Sequence, residues 1–391
     1  MSEQPYSSTH PPLPPTTEDD RVSWLRLLRS RRVGIATFHR LLGEHGTAQA
    51  ALAALPEVAR AAGVEDYRAC PEGVARAEMA AGRAARARLI FMTDPDYPAA
   101  LRGLADAPPM LWAVGDVSVL SRPMIALVGA RNASSLGTRM ARALAAELGA
   151  KGYVVVSGLA RGIDAAAHAA TLKTGTVAVL AGGVDVLYPA ENTRIAEDMV
   201  QTGLRLSEQP MGQTPQARHF PARNRIISGL AQAVVVVEAA AKSGSLITAR
   251  NALDQGREVL AVPGHPFDAR AAGCNMLIRD GARLVRSAED VIEALPMATA
   301  QAAPELPLAA PPAAPNPPTP PDAPPPDRRS LRETADLHST ILDRLGPSPL
   351  AEDQLIRDVG APVQRVAPVL VDLEIEGRIR RQPGGLLSKV G

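Results

Sequence analysis

Between Ile125 and Val262 the chain carries a series of short apolar runs, Ile125–Val128, Val154–Val156, Val177–Leu180, Ala233–Val237 and Val259–Val262, each continuous rather than alternating. A strand that is apolar on both sides has no solvated face, so such runs belong inside a sheet covered by helices above and below. Helix-like segments supply that cover, since Thr138–Ala150, Asp164–Thr174, Asn192–Thr202, Ala222–Ala231 and Leu246–Gln255 fall between and around the runs. The alternation predicts an α/β, doubly wound, mostly parallel sheet over residues 89–296, with ligands bound outside the carboxyl ends of its strands.

The rest of the 391 residues divides by composition around this domain. Residues 1–20, rich in Pro, Ser and Thr, read as a disordered tail. Residues 21–88 read as a small Ala/Leu-rich bundle of short helices broken at glycines, SAM- or helix-hairpin-helix-like. Within it VGIATFHRLLGEHG resembles the helix-hairpin-helix, a DNA-backbone module, with Ala36 where the second glycine of the hairpin usually stands; a plain helical packing module fits the same residues. Residues 297–332 are a Pro/Ala-rich linker that cannot bury a core. Three helix candidates and a hairpin over 333–391 outline a winged helix.

A formal net charge of +1 gives no global field toward nucleic acid or membrane, so any polyanion must be met by a local patch. No apolar run approaches the roughly 20 residues of a membrane-spanning helix, and the N-terminal stretch lacks the apolar core of a signal peptide. Cys70 and Cys274 match no metal or CxxC spacing, as expected of a reduced cytoplasmic protein.

The strand ends carry the chemistry. After Val128 come Gly129, Arg131 and Ser134 in the loop opening a helix, an arrangement in which backbone N–H groups converge on a phosphate. GxGxxG and GxxxxGK[ST] are both absent, so neither dinucleotide nor triphosphate binding follows. Gly158, Arg161 and Gly162 form a second Gly/Arg loop, and Asp164 and His168 share the face of the helix after it, either as an oriented base or as a structural contact. Gly182 and Gly183 follow Leu180 and either admit a ligand or make a tight turn. From Gln209 to Val237 there is no acidic residue, while Arg218, Phe220, Arg223, Asn224 and Arg225 cluster. Arginine beside an aromatic suits single-stranded nucleic acid, one neutralising phosphate and the other stacking a base; the alternative makes Arg223 a partner of Glu238 or Asp164 and Phe220 a core residue. Lys242, Ser243, Gly244, Ser245 and Thr248 compose a further anion loop after Val237.

Taken together, VGARNASSLG, VVSGLARGIDAAAHAATL, LAGGVDVLYPAEN, SEQPMG, FPARNRIISGLA, VVVEAAAKSGSLITARNALDQGREVLAVPG and GCNMLIRDGA resemble the DNA-processing protein A (DprA/Smf) family in content and order. The resemblance implies an extended Rossmann-like domain and a cytoplasmic homodimer that binds incoming single-stranded DNA in natural transformation, shields it and loads the RecA recombinase, with no enzymatic activity, cofactor or metal. Carried over by position, it places Arg131 on phosphate with Ala130 replacing a small hydroxyl residue, matches Gly158 and Gly182 to the next two loops, and assigns Phe220, Arg223, Asn224, Lys242 and Ser243–Ser245 to DNA. Arg218 precedes the FPxRN segment, where the basic residue varies in register. The rival reading is a Rossmann-type enzyme acting on a nucleotide phosphate, phosphoribohydrolase-like, with Glu238 and Asp164 as acid-base groups. A winged-helix regulator ranks third, because Pro362–Glu376 carries Arg365 against Asp372, Glu374 and Glu376.

Overall fold

The computed structural model describes residues 14–295, 331–346, 350–362, 366, 369–370, 373–374, 378–382 and 386–389. Residues 297–330 of the expected linker over 297–332 and residues 1–13 of the expected tail over 1–20 lie outside the described residues. The chain divides into two compact units, the second comprising the C-terminal residues from Ala302 onward.

The first unit opens with the helices α1 (Glu18–Arg29), α2 (Ile35–His45), α3 (Ala48–Ala61) and α4 (Glu72–Ala84). Helix α1 starts earlier than residue 21, because Thr17 and Asp20 cap each other's backbone N–H groups in a capping box. Next come β1 (Arg88–Phe91), the single turn α5 (Ala99–Arg102) and β2 (Met110–Gly115). The α/β core follows as β3 (Met124–Gly129), α6 (Ser135–Ala150), β4 (Val154–Ser157), α7 (Ile163–Thr171), β5 (Thr176–Val179), α8 (Thr193–Asp198), β6 (Leu204–Ser207), α9 (His219–Leu230), β7 (Ala233–Glu238), α10 (Ser245–Asp254), β8 (Glu258–Ala261), α11 (Ala272–Arg279), β9 (Arg283–Leu284) and α12 (Ala288–Ala294).

The strands form one 9-stranded sheet in the order β1-β2-β6-β5-β4-β3-β7-β8-β9. Pairing is parallel from β6 through β9, whereas β1–β2 and β2–β6 are antiparallel. The doubly wound, mostly parallel sheet read from the apolar runs is therefore present. Along β3, Ile125 and Leu127 join a core with α6, α7 and α12, while Ala126 and Val128 join a core with α9, α10 and α11 on the other face. Strands β6 and β9 went unread because neither is a continuous apolar run: LRLS alternates, and both residues of β9 are exposed.

The helical bundle is not a loosely attached appendage. Leu89, Phe91, Met110, Trp112 and Val114, the residues of β1 and β2 that point away from the main core, are buried among Trp24, Phe38, Leu41 and Leu55. Trp24 stands edge-on to both Phe38, at 5.3 Å, and Phe91, at 5.7 Å. Arg29 binds Glu78 through both carboxylate oxygens, Trp112 donates to the same carboxylate at 2.9 Å, and Arg29 also reaches the carbonyl of Glu208. This buried network fixes the bundle's orientation on the sheet.

The second unit holds α13 (Leu331–Arg344), β10 (Leu350–Ala351), α14 (Glu352–Val359) and the hairpin β11 (Ile379–Gln382) and β12 (Leu386–Lys389). The three strands form a separate sheet in the order β10-β12-β11 over a core of Ile341, Leu355, Leu370, Leu373 and Leu387. Between α14 and the hairpin, residues 366, 369–370 and 373–374 are helical; Arg365, Asp372 and Glu376 lie outside the described residues.

Candidate nucleic-acid interface

The sheet reverses its winding at β3. The chain proceeds from β3 to β4 on one side, and β7 and β8 add on the other. Neighbouring loops depart in opposite directions at such a switch point and leave a crevice between them. A β-bulge between Val128 and Gly129 turns the end of β3, and Ala130 N–H donates to the Glu238 carbonyl at 2.7 Å. The resulting cleft, about 620 Å³, is bounded by Gly129–Asn132, Asp164, the start of α9, and Lys242–Ser245 with Thr248.

Helix α9 supplies one wall through its period. Phe220, Arg223, Asn224 and Ile227, at i, i+3, i+4 and i+7, all line the cleft. Pro221 sits in the first turn, where a missing N–H costs nothing, so the helix begins at His219 rather than after the proline. Arg225 leaves on the opposite side and pairs with Glu208 at 2.5 Å and Asp106 at 3.5 Å.

Arg131 is exposed at the mouth, its guanidinium 5.0 Å from the Phe220 ring centroid. Phe220 is followed outward by Tyr188, ring centroids 6.1 Å apart, with Tyr188 52% exposed. Lys242 lies on the other wall, exposed, and makes no ion pair among the described residues. Ser245 and Thr248 are buried beneath it, and the Ser243 and Ser245 hydroxyls are 2.7 Å apart. The mouth thus offers two cations without ion pairs among the described residues, a half-buried ring and an exposed ring in one place.

Tyr188, Asn132 and Arg270 were not assigned from the sequence. Tyr188 lies inside the quoted LAGGVDVLYPAEN in a chain with only 3% aromatic residues, which was the available signal. Arg270 lines the cleft but is engaged by Asp268 at 3.1 Å.

Several other assigned residues are engaged within the fold. In the Gly158–Gly162 loop the amides of Gly158, Leu159 and Ala160 are taken by buried side chains. Asp164 accepts from Gly158 N–H at 3.0 Å and Ala160 N–H at 3.3 Å, and His168 Nε2 accepts from Leu159 N–H at 3.3 Å. Asn192 donates to the Leu159 carbonyl at 2.8 Å, and Arg223 Nη1 to the Gly158 carbonyl at 2.7 Å. These buried side chains hold Leu159 at a φ of 56°. Asp164 and His168 therefore share a helix face without pairing; both grip backbone. Gly162, with φ 76°, has no room for a side chain because a Cβ there would strike the Ala130 carbonyl. Gly182 is buried against Gln213 and Pro215, so its smallness serves loop packing. Ser134 is spent on structure: its hydroxyl caps α6 through Gly137 N–H and donates to Glu238 at 2.5 Å, and its N–H donates to Glu238 at 3.0 Å. Arg223 is 5% exposed and turned inward, its pKa pushed down to about 10 by burial, with Asp164 drawing it back up. Arg161 faces solvent 3.7 Å from Glu191, and Arg218, exposed, contacts its neighbour His219.

The tautomer of His168 follows from its partners. Thr176 gives its hydroxyl hydrogen to the Val155 carbonyl at 2.8 Å, so it accepts from His168 Nδ1–H at 2.7 Å, leaving Nε2 as acceptor. Burial, aided by the Arg223 charge, pushes the His168 pKa down to about 3 from the ordinary 6.5. The unfolded chain then takes up a proton below about pH 6.5 that the native state refuses until about pH 3. This group leaves stability intact above that window and erodes it as pH falls, by up to roughly 1.4 kcal/mol per pH unit. Urea midpoints measured from about pH 7.5 to about pH 4.5 are expected to fall more steeply for the parent than for His168→Gln. Equal slopes would show that His168 is not held neutral.

An extended Rossmann-like domain with a cation-and-aromatic cleft at its switch point, a helical bundle sharing its core and a separate three-stranded winged-helix unit define a modular α/β protein. Models for three domains match in the same order: DNA recombination-mediator protein A over residues 88–296, the DprA-like N-terminal HHH domain over 18–81 and the DprA winged helix domain over 309–385. The chain belongs to this DprA/Smf family. It is 47% identical to DNA processing protein DprA of Bacillus subtilis over 56% of this chain and 74% of the relative, and 37% identical to Protein Smf of Escherichia coli over 74% of each. Among solved structures, DNA processing protein A of Streptococcus pneumoniae superposes with a TM-score of 0.52 at 42% identity, covering 54% of this chain and 74% of that one. DNA processing protein A of Helicobacter pylori, studied for its single-stranded DNA binding mode, gives 0.50 at 30% identity, covering 53% and 94%.

Proposed function

We propose that the chain binds single-stranded DNA without sequence preference and acts as a recombination mediator in natural transformation, shielding the incoming strand and loading RecA onto it. The observation that carries this reading is the Arg131–Phe220 pair at the cleft mouth, with Lys242 facing it. A cation stacked on a ring recognises phosphate and base in the same nucleotide, which suits a flexible strand and not a duplex whose bases are stacked away. The likeness to the Helicobacter pylori protein supports the same ligand. In this proposal Arg131, Phe220, Asn224, Lys242, Ser243, Gly244, Ser245 and Thr248 touch the strand, with Gly129, Arg161 and Arg218 at its margins. Ser134, Gly158, Gly162, Gly182 and Arg223 shape the loops. The active form is a cytoplasmic homodimer without a cofactor.

The enzyme reading is less well supported, because Glu238 is engaged by Ser134 and Asp164 by two backbone amides. Release of base from nucleoside monophosphates that disappears in Glu238→Gln would reverse this preference. For the binding reading, fluorescence anisotropy with a labelled oligothymidylate is expected to show Phe220→Ala weakened by about 1–3 kcal/mol and Phe220→Tyr close to the parent. Unchanged binding in Phe220→Ala would remove the ring from the site.

A further inference from the structure

We propose that the turn between α1 and α2 is a second contact for the same DNA strand, continuing the cleft across α9 to Arg31 and Arg32. The inference rests on the single-stranded DNA reading of the cleft. Across the described residues the bundle's other surface arginines are largely neutralised: Arg21 pairs with Asp94, Arg40 with Glu44, Arg76 with Asp19 and Glu72, Arg83 with Glu18, and Arg88 with Asp96. Arg31 and Arg32 are exposed and make no ion pair among the described residues. Arg60, Arg68 and Arg86 are also without ion pairs there, so what distinguishes Arg31 and Arg32 is their place. Tyr67 donates to the Arg31 carbonyl at 2.5 Å, and Val33 N–H returns to the Ser30 carbonyl at 3.1 Å, so the turn is held in shape.

The end of this turn, Gly34 and Ile35, forms one side of a groove of about 360 Å³ whose other side is Gln209, Ala222 and Arg225. Ala222 belongs to the first turn of α9, and the preceding residues Phe220 and Pro221 line the main cleft. The two depressions are thus separated by one helix, roughly 10 Å across. Pro221 and Ala222 are exposed and carry no charge, so the crest between the depressions is unobstructed. The carboxylate in the groove, Glu208, is half-buried and paired with Arg225, with Arg29 on its carbonyl. Because the Arg29–Glu78–Trp112 network fixes the bundle on the sheet, the turn keeps its place beside α9. A polyanion leaving the cleft over Pro221 and Ala222 enters a groove whose far wall, Gly34 and Ile35, ends the turn that carries Arg31 and Arg32.

The test compares Arg31→Ala/Arg32→Ala with the parent full-length chain on oligothymidylates of increasing length, by anisotropy at several salt concentrations. The variant is expected to match the parent on the shortest strands that bind, and to lose roughly 10-fold on longer ones, where the parent's salt slope is steeper by about 1.4 for two added phosphate contacts. The lysine pair at the same positions is expected to restore the long-strand affinity. Equal loss at every length, no loss at any length, or loss confined to duplex DNA would each overturn the proposal. Retained binding in an Arg131→Ala/Lys242→Ala chain would instead defeat the reading of the cleft itself, so the two failures are distinguishable. The turn arginines are solvent-exposed, and an unchanged melting temperature verifies that the variant is folded.

Discussion

Replacing Arg131 and Lys242 together by alanine is expected to weaken single-stranded DNA binding on the order of 100-fold while leaving the fold intact. Both side chains are exposed and neither has an ion-pair partner among the described residues, so their removal orphans no internal group. Each charge-assisted contact to phosphate is worth about 1.5–3 kcal/mol, and two together reach that factor. The plot of log affinity against log salt is expected to flatten by about 1.4, since each phosphate on a single strand contributes about 0.7 to its slope. Anisotropy titrations of the double variant over a range of salt measure both quantities. A variant with parental affinity and slope would show that the DNA lies elsewhere.

Arg223→Met is expected to act on the fold first, lowering unfolding stability by about 3–5 kcal/mol. Arg223 is buried between the carbonyls of Gly158 and Val179, close to a buried Asp164 whose pKa is raised by desolvation and drawn down again by that arginine. Without the guanidinium the two carbonyls lose their donor and the carboxylate loses its counter-charge. Asp164→Asn added to the same chain is expected to recover part of the loss, because it removes the uncompensated charge. Urea unfolding of both chains tests this pair. A methionine variant with parental stability and abolished DNA binding would return Arg223 to the surface of the site, where the motif alone had placed it.

Much of the architecture was legible. Continuous apolar runs at β3, β4, β5, β7 and β8 could only be strands buried on both faces, and the loops after them were marked by glycine, serine and basic residues. The sharing of one core by the bundle and the β1–β2 extension was not legible, because Leu89, Phe91 and Trp112 look like any strand residues until a partner surface is brought to them. Strand β6 was missed since its short alternating pattern carries no more apolar signal than a loop.

By itself the sequence determined the doubly wound class, and it marked the strand-end loops, with Arg131, Arg218, Phe220, Arg223 and Lys242 among their residues, as candidates for contact with a nucleic acid. Local pattern suffices for these, because side-chain period and loop chemistry are properties of neighbouring residues. Only the tertiary structure decided which polar groups stand exposed at the cleft and which are buried within the fold. Asp164, His168, Arg223 and Ser134 carry the same chemistry as the exposed groups around them, yet the first three are buried and bonded to backbone, and half-buried Ser134 is bonded to a buried carboxylate. Burial depends on what distant segments bring to a residue, and for these groups it converts would-be ligand contacts into the scaffold that holds Arg131, Phe220 and Lys242 at the cleft.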